Sequence, residues 1–199
     1  MTKAVFWDKD GTLIPDIPYN VDPDKITLYP NTGLSLYRLR AAGFRLIVVS
    51  NQGGVARNQF PESALPGVWQ QLAELLQPYG AEPDAYYYCP HHPDGSVKAY
   101  AQLCECRKPK PGLLLQAARE HQIDLRASWM VGDILNDIEA GNRAGCQTIL
   151  IDRGNETEWL TGPHRVPTAQ VSGVAEAVDY ILKSENFVSL NRHREPNTL

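Results

Sequence analysis

The chain has 199 residues, 43% of them hydrophobic, and a formal net charge of -4 from 19 Lys and Arg against 23 Asp and Glu. That length and apolar content fit one domain with a sizeable core. The acidic balance excludes a general attraction to nucleic acid or to an anionic membrane, while a local basic pocket is still allowed because a phosphate site needs only a few positive groups.

The first eight residues reach the charged Asp8 too soon for a signal peptide, and no apolar run is long enough to span a bilayer, so the cytoplasm is the expected compartment. Ala4-Val5-Phe6-Trp7 predicts a buried strand, followed at once by Asp8-Lys9-Asp10-Gly11-Thr12. Alternate residues of an extended chain point the same way, so Asp8 and Asp10 face one small volume. Two carboxylates there repel unless a cation or a shared proton intervenes, and Mg2+ is a hard, oxygen-preferring candidate. Taken alone, the segment reads equally well as a turn.

A helical pattern covers Thr32 to Ala42, and Leu46-Ile47-Val48-Val49 predicts the second strand. Ser50-Asn51-Gln52-Gly53-Gly54 follows it, offering a hydroxyl and glycines that let backbone N–H groups approach a phosphate oxygen. Glu62 to Tyr79 reads as helix, and Tyr86-Tyr87-Tyr88 as a strand.

Cys89-Pro90-His91-His92-Pro93 and Cys104-Glu105-Cys106 come next. Three thiols and an imidazole in two close pairs match a closed structural zinc site with Cys89, His91, Cys104 and Cys106 as ligands, His92 being the alternative imidazole. Free or redox-active thiols are the competing readings. Zn2+ here would staple the loop at 89–106 and fix the adjacent Arg107-Lys108. Lys108 is placed to hold a transferring phosphoryl group, and Arg107 to grip a second anionic group bidentately. Cys146, the fourth cysteine, reads as a small buried residue.

Pro111 suits a first helical turn, and helix is expected over Gly112 to Gln122. Trp129-Met130-Val131 predicts a strand that ends on Gly132-Asp133, with Asp137 one helical turn further. Asp133 would complete a cation site with Asp8 and Asp10, and Asp137 would orient that site or cap its helix. Helix over Asn136 to Ala144, strand over Thr148 to Ile151, a loop over Asp152 to Thr168 and helix over Val174 to Leu182 complete the pattern. Gly43, Gly80 and Gly145 stand where helix stops belong. Residues 1–183 are thus expected as one domain and 184–199 as a flexible tail. Strand–helix alternation points to an α/β, Rossmann-like doubly wound parallel sheet. Neither the interval after the first strand nor that after the second leaves room for a large cap domain.

The four strand-end motifs, Asp8-x-Asp10-Gly11-Thr12, Ser50, Lys108 and Gly132-Asp133-x-x-x-Asp137, resemble the haloacid dehalogenase superfamily in order and placement. The Cys-Pro-His-His-Pro and Cys-x-Cys-Arg-Lys-Pro segments resemble the bacterial heptose 1,7-bisphosphate 7-phosphatases within it, a design that histidinol-phosphate phosphatases share. The resemblance implies Asp8 as nucleophile and Asp10 as general acid and base. It implies Mg2+ held by Asp8, Asp133 and the Asp10 carbonyl, with Ser50 and Lys108 stabilising the phosphoryl group. It implies substrate contacts from Asp16, Tyr19, Ser50, Asn51, Gln52, Gly53, Arg107 and Lys108. The expected partner is a small phosphorylated molecule, the expected state a monomer. The rival class is a zinc-stabilised binding module without activity.

Overall fold

The structure, a computed structural model, describes residues 2–192. Its six strands are β1 (Ala4–Trp7), β2 (Arg45–Asn51), β3 (Ala85–Cys89), β4 (Trp129–Gly132), β5 (Gln147–Ile151) and β6 (Ala169–Val171). All pairs are parallel, in the order β3-β2-β1-β4-β5-β6. The first strand in the chain is therefore central, with Val5 opposite Leu46 on one side and Trp129 on the other.

Every residue of β1 is buried, and the two-residue period of the strand explains how. Ala4 and Phe6 pack with Ile47, Val49 and Met130 under α3 (Gly112–His121) and α4 (Leu135–Ala144). Val5 and Trp7 pack with Leu46 and Val48 on the opposite face, under α1 (Thr32–Ala41), α2 (Leu65–Leu76) and α5 (Val174–Arg192). Each large apolar side chain so buried contributes about 1.5–3 kcal/mol. A sheet covered on both faces leaves its strand ends as the place for chemistry.

The expected helix over 62–79 is α2 with a short 3-10 turn at each end, Glu62–Ala64 and Gln77–Tyr79, the second containing Pro78. Strand β6 was not expected. It is three residues long and partly exposed, and too short for a strand period to show.

The sequence pattern ends the last helix at Leu182, whereas α5 continues to Arg192, so its last turns fall in the stretch expected as a tail. The weak periodicity there hid the helix, because its anchors lie upstream. Val174, Ala177, Val178 and Ile181 are buried, and Glu185 pairs with Lys3 at 2.6 Å. Residues 193–199 of that expected tail lie outside the described residues.

Candidate active site

A cavity of about 440 Å3 opens beyond the carboxyl ends of β1, β2 and β4, where the strand order reverses. Asp8 enters it as the first residue past β1, its N–H donating to Val131 O at 2.9 Å. The Lys9 carbonyl accepts from Leu13 N at 3.0 Å and Ile14 N at 3.2 Å, closing a tight turn. Gly11 sits in that turn at φ +76°, and a Cβ on it would stand 2.0 Å from Asp133 Oδ2. Only glycine lets the β1 turn press against the β4 turn so closely.

Asp8, Asp133 and Asp137 are buried and offer carboxylate oxygens within 4.8 Å of one another. Lys108 Nζ lies 2.5 Å from Asp8 Oδ1 and 2.6 Å from Asp137 Oδ1, the second contact being an ion pair rather than an aligned hydrogen bond. Three carboxylates and one ammonium leave a buried formal charge of -2. The carboxyls register it. Burial, reinforced by Asp137, pushes Asp133 up to about 6, against hydrogen bonds from Asn155 and Thr12. Burial also drives Asp8 well above its ordinary range, with Lys108 opposing. Lys108 is held above its own range: burial favours the neutral amine, but Asp137 and Asp8 outweigh it. A divalent cation coordinated by oxygen is the species that fits this charge and donor set. Asp137 also caps α4, its Oδ2 accepting from Ile134 N at 3.3 Å, so it both ends the β4 turn and holds Lys108.

The Asp10 carboxylate turns away from this trio. Buried Lys9 grips Oδ1 at 2.5 Å, and Gln52 Nε2 donates to Oδ2 at 3.2 Å and to Ser50 Oγ at 2.8 Å. Asn51 uses its amide on the main chain of Lys108: Nδ2 donates to the carbonyl, and Oδ1 accepts the N–H.

The rim is cationic. Arg57 donates to Tyr19 Oη at 3.3 Å and meets His92 Nε2 at 2.9 Å. Arg107 donates to the His91 carbonyl at 3.3 Å. Burial pulls the Arg107 guanidinium below its usual range, and Arg57 adds to the effect while the nearby cysteines oppose it.

Behind the rim, Cys89, His91, Cys104 and Cys106 bring their ligand atoms within 4.8 Å of one another. The sulfurs are 3.1–3.5 Å apart, and His91 Nδ1 is 3.4 Å from Cys106 Sγ. Tetrahedral bonds of about 2.3 Å to a central zinc imply sulfur separations near 3.8 Å, so the set fits with a slight expansion. All four cysteines of the chain are free, and Cys146 is buried alone. Of the two candidate imidazoles, His91 joins the cluster and His92 faces the cavity.

The cavity brings together Asp8, Asp10, Ser50, Lys108 and Asp133, and with them Asp16, Tyr19, Asn51, Gln52, Gly53 and Arg107. Sequence reasoning missed Arg57, His92 as a lining residue, and Asn155. Arg57 had one signal, a cation in the turn after the second strand's glycines. Asn155 had none, since it belongs to a polar loop and reaches the site only through the fold.

A sequence model of the HAD-hydrolase-like family matches residues 105–177. The chain is 40% identical over 150 residues to the D-glycero-beta-D-manno-heptose-1,7-bisphosphate 7-phosphatase of Yersinia pestis, covering 75% of this chain and 80% of that one. It is 37% identical over 181 residues to the enzyme of the same name from Escherichia coli K12, covering 91% and 88%. Among solved structures, a HAD-like protein from Mesorhizobium loti superposes with a TM-score of 0.79 at 33% identity, covering 92% of this chain and 87% of that one. The D,D-heptose 1,7-bisphosphate phosphatase from B. bronchiseptica, complexed with magnesium and phosphate, gives 0.75 at 28%, covering 92% and 99%. The chain belongs to the family of the heptose-1,7-bisphosphate 7-phosphatases, within the HAD-like hydrolases.

Proposed function

We propose that this protein is a Mg2+-dependent phosphatase that removes the 7-phosphate of D-glycero-D-manno-heptose 1,7-bisphosphate. The observation that carries the choice of a bisphosphate is the rim: Arg57 and Arg107 border one cavity, and neither pairs with a carboxylate among the described residues. Two guanidiniums that repel each other are stabilised by a shared anion, and guanidinium geometry suits phosphate. Lys108 and the carboxylates deal with the phosphate being transferred, so the rim is left for the other one. The names of the relatives agree with this substrate.

In the reaction, the Asp8 carboxylate attacks phosphorus while the bond from phosphorus to the sugar oxygen breaks. Asp10, aimed by Lys9 and Gln52, passes its proton to that oxygen. Asp10 then takes a proton from water, which attacks the same phosphorus and returns Asp8 to its carboxylate. Lys108 and Ser50 hold the transferring group. Asp8, Asp133 and the Asp10 carbonyl would hold Mg2+, which supplies the positive charge that lets two anions meet. The cysteine cluster would hold Zn2+ with no open position, leaving it a structural part. The proposal includes a monomer in the cytoplasm, where cysteines stay reduced and available to zinc.

Phosphate release from heptose 1,7-bisphosphate and from histidinol phosphate, each with Mg2+, tests the proposal, with Asp8→Asn as control. A strong preference for the bisphosphate, lost in the variant, supports it. Preference for histidinol phosphate moves the substrate, and full activity of Asp8→Asn removes Asp8 as nucleophile.

A further inference from the structure

The loop that follows β5 reaches back across the molecule to both turns of the cation site. Arg153 Nη1 donates to Gly11 O at 2.7 Å and to Thr12 O at 3.2 Å, and its guanidinium lies 3.8 Å from the Tyr29 ring centre. Glu156 Oε2 accepts the N–H of Leu135, the first residue of α4, at 2.7 Å. Between these two anchors, Asn155 Nδ2 donates to Asp133 Oδ2 at 2.7 Å. Thr12 Oγ1 donates to the other oxygen, Asp133 Oδ1, at 3.0 Å.

We propose that Asn155 is the positioning residue that sets the affinity of the Asp8–Asp133 site for Mg2+. Each oxygen of Asp133 has a single protein donor, from two different loops, so the pair fixes the plane of the carboxylate. Without one of them the carboxylate rotates about its bond to Cβ and presents its oxygen to the cation in many orientations. Gly11 keeps Asn155 in range, because a Cβ there would come within 2.6 Å of Asn155 Nδ2. Arg153 and Glu156 hold the chain on either side of Asn155, which restrains the loop that carries the amide. Groups of this kind typically change metal affinity 10–100-fold when removed. The Asn155 amide is committed to Asp133 Oδ2, so its effect is expected on cation binding and not on the chemistry at saturating Mg2+.

The inference rests on the proposal that Asp8 and Asp133 hold Mg2+, and the test separates the two. Mg2+ is titrated calorimetrically into the parent protein, into Asn155→Ala, and into Asn155→Leu, which keeps the shape of the side chain and removes the donor. Melting in excess chelator reports the metal-free fold. The expected result is a dissociation constant raised about 10–100-fold in both variants with a metal-free melting temperature close to the parent's. An unchanged dissociation constant in a folded variant overturns the role of Asn155 and leaves the cation site standing. Absence of Mg2+ binding in the parent overturns the cation site itself.

Discussion

Asn51 brackets the peptide of Lys108 with two hydrogen bonds, each 3.0 Å long, one to the carbonyl and one from the N–H. The lysine that meets Asp8 is therefore positioned through its main chain by a residue at the end of β2. Asn51→Ala is expected to lower kcat about 100-fold, because small misplacements of a catalytic group carry losses of that order. Steady-state kinetics with a melting curve as control checks it, and an unchanged kcat would show that the bracket is dispensable.

Selectivity for a second phosphate should divide between Arg57 and Arg107. Replacing either with Ala is expected to raise KM for the bisphosphate roughly 10–100-fold, as loss of a charged hydrogen bond of about 1.5–3 kcal/mol implies. A monophosphate with one anionic end should respond far less. Equal losses on both substrates would place the guanidiniums on the transferring phosphate instead.

Zinc should be found at about one ion per chain, as a closed four-ligand site requires. Cys104→Ser should lose it and melt about 4–8 °C lower, equivalent to about 2 kcal/mol in a chain of this size. Because Arg107 donates to the carbonyl of His91, the same variant should also bind the bisphosphate more weakly. Elemental analysis beside kinetics reads both effects, and stoichiometric zinc in the variant would remove Cys104 from the ligand set.

The buried charge predicts a stability that depends on pH in the metal-free protein. Asp133 keeps its proton up to about pH 6 in the fold against 3.8 for a free aspartate, so folding takes up a proton between these values. Stability from this group is complete below the lower value and is lost as pH rises through about 6. Asp133→Asn, which carries no charge to bury, should gain on the parent across that window by about 3 kcal/mol, since the roughly two units between 3.8 and about 6 are worth 1.36 kcal/mol each. Melting in chelator from pH 4 to 7 checks this, and a constant difference would contradict it.

Much of this architecture could be read in the chain because its signals are local. A short apolar run ended by Asp8 or by Gly132-Asp133 marks a strand and the buried carboxylate at its end together, and the cysteine pairs carry their spacing within eighteen residues, 89–106. What stayed hidden depends on contacts far apart in sequence. Strand β6 is only three residues long and finds its place by pairing with β5. Lys9 reads as the spacer of a motif, but the fold buries it against Asp10 and over the Trp69 ring at 5.9 Å. Arg57 gains meaning only when the 89–106 loop sets His92 beside it. No periodicity or composition encodes such meetings.

The central place of β1 has a consequence for how the protein comes into being. Its edge toward β4 has no partner until residue 132 has been made, and the Arg153 contacts to Gly11 and Thr12 wait twenty residues longer. Contacts that close such long loops form slowly, and synthesis at about 5–20 residues per second exposes the open edge for seconds. Nascent chains shorter than about residue 156 hold Asp8 without all of the groups that surround it. Enzymatic activity therefore reports completed folding of the whole sheet, and a ribosome-stalled series should switch it on in one step, late.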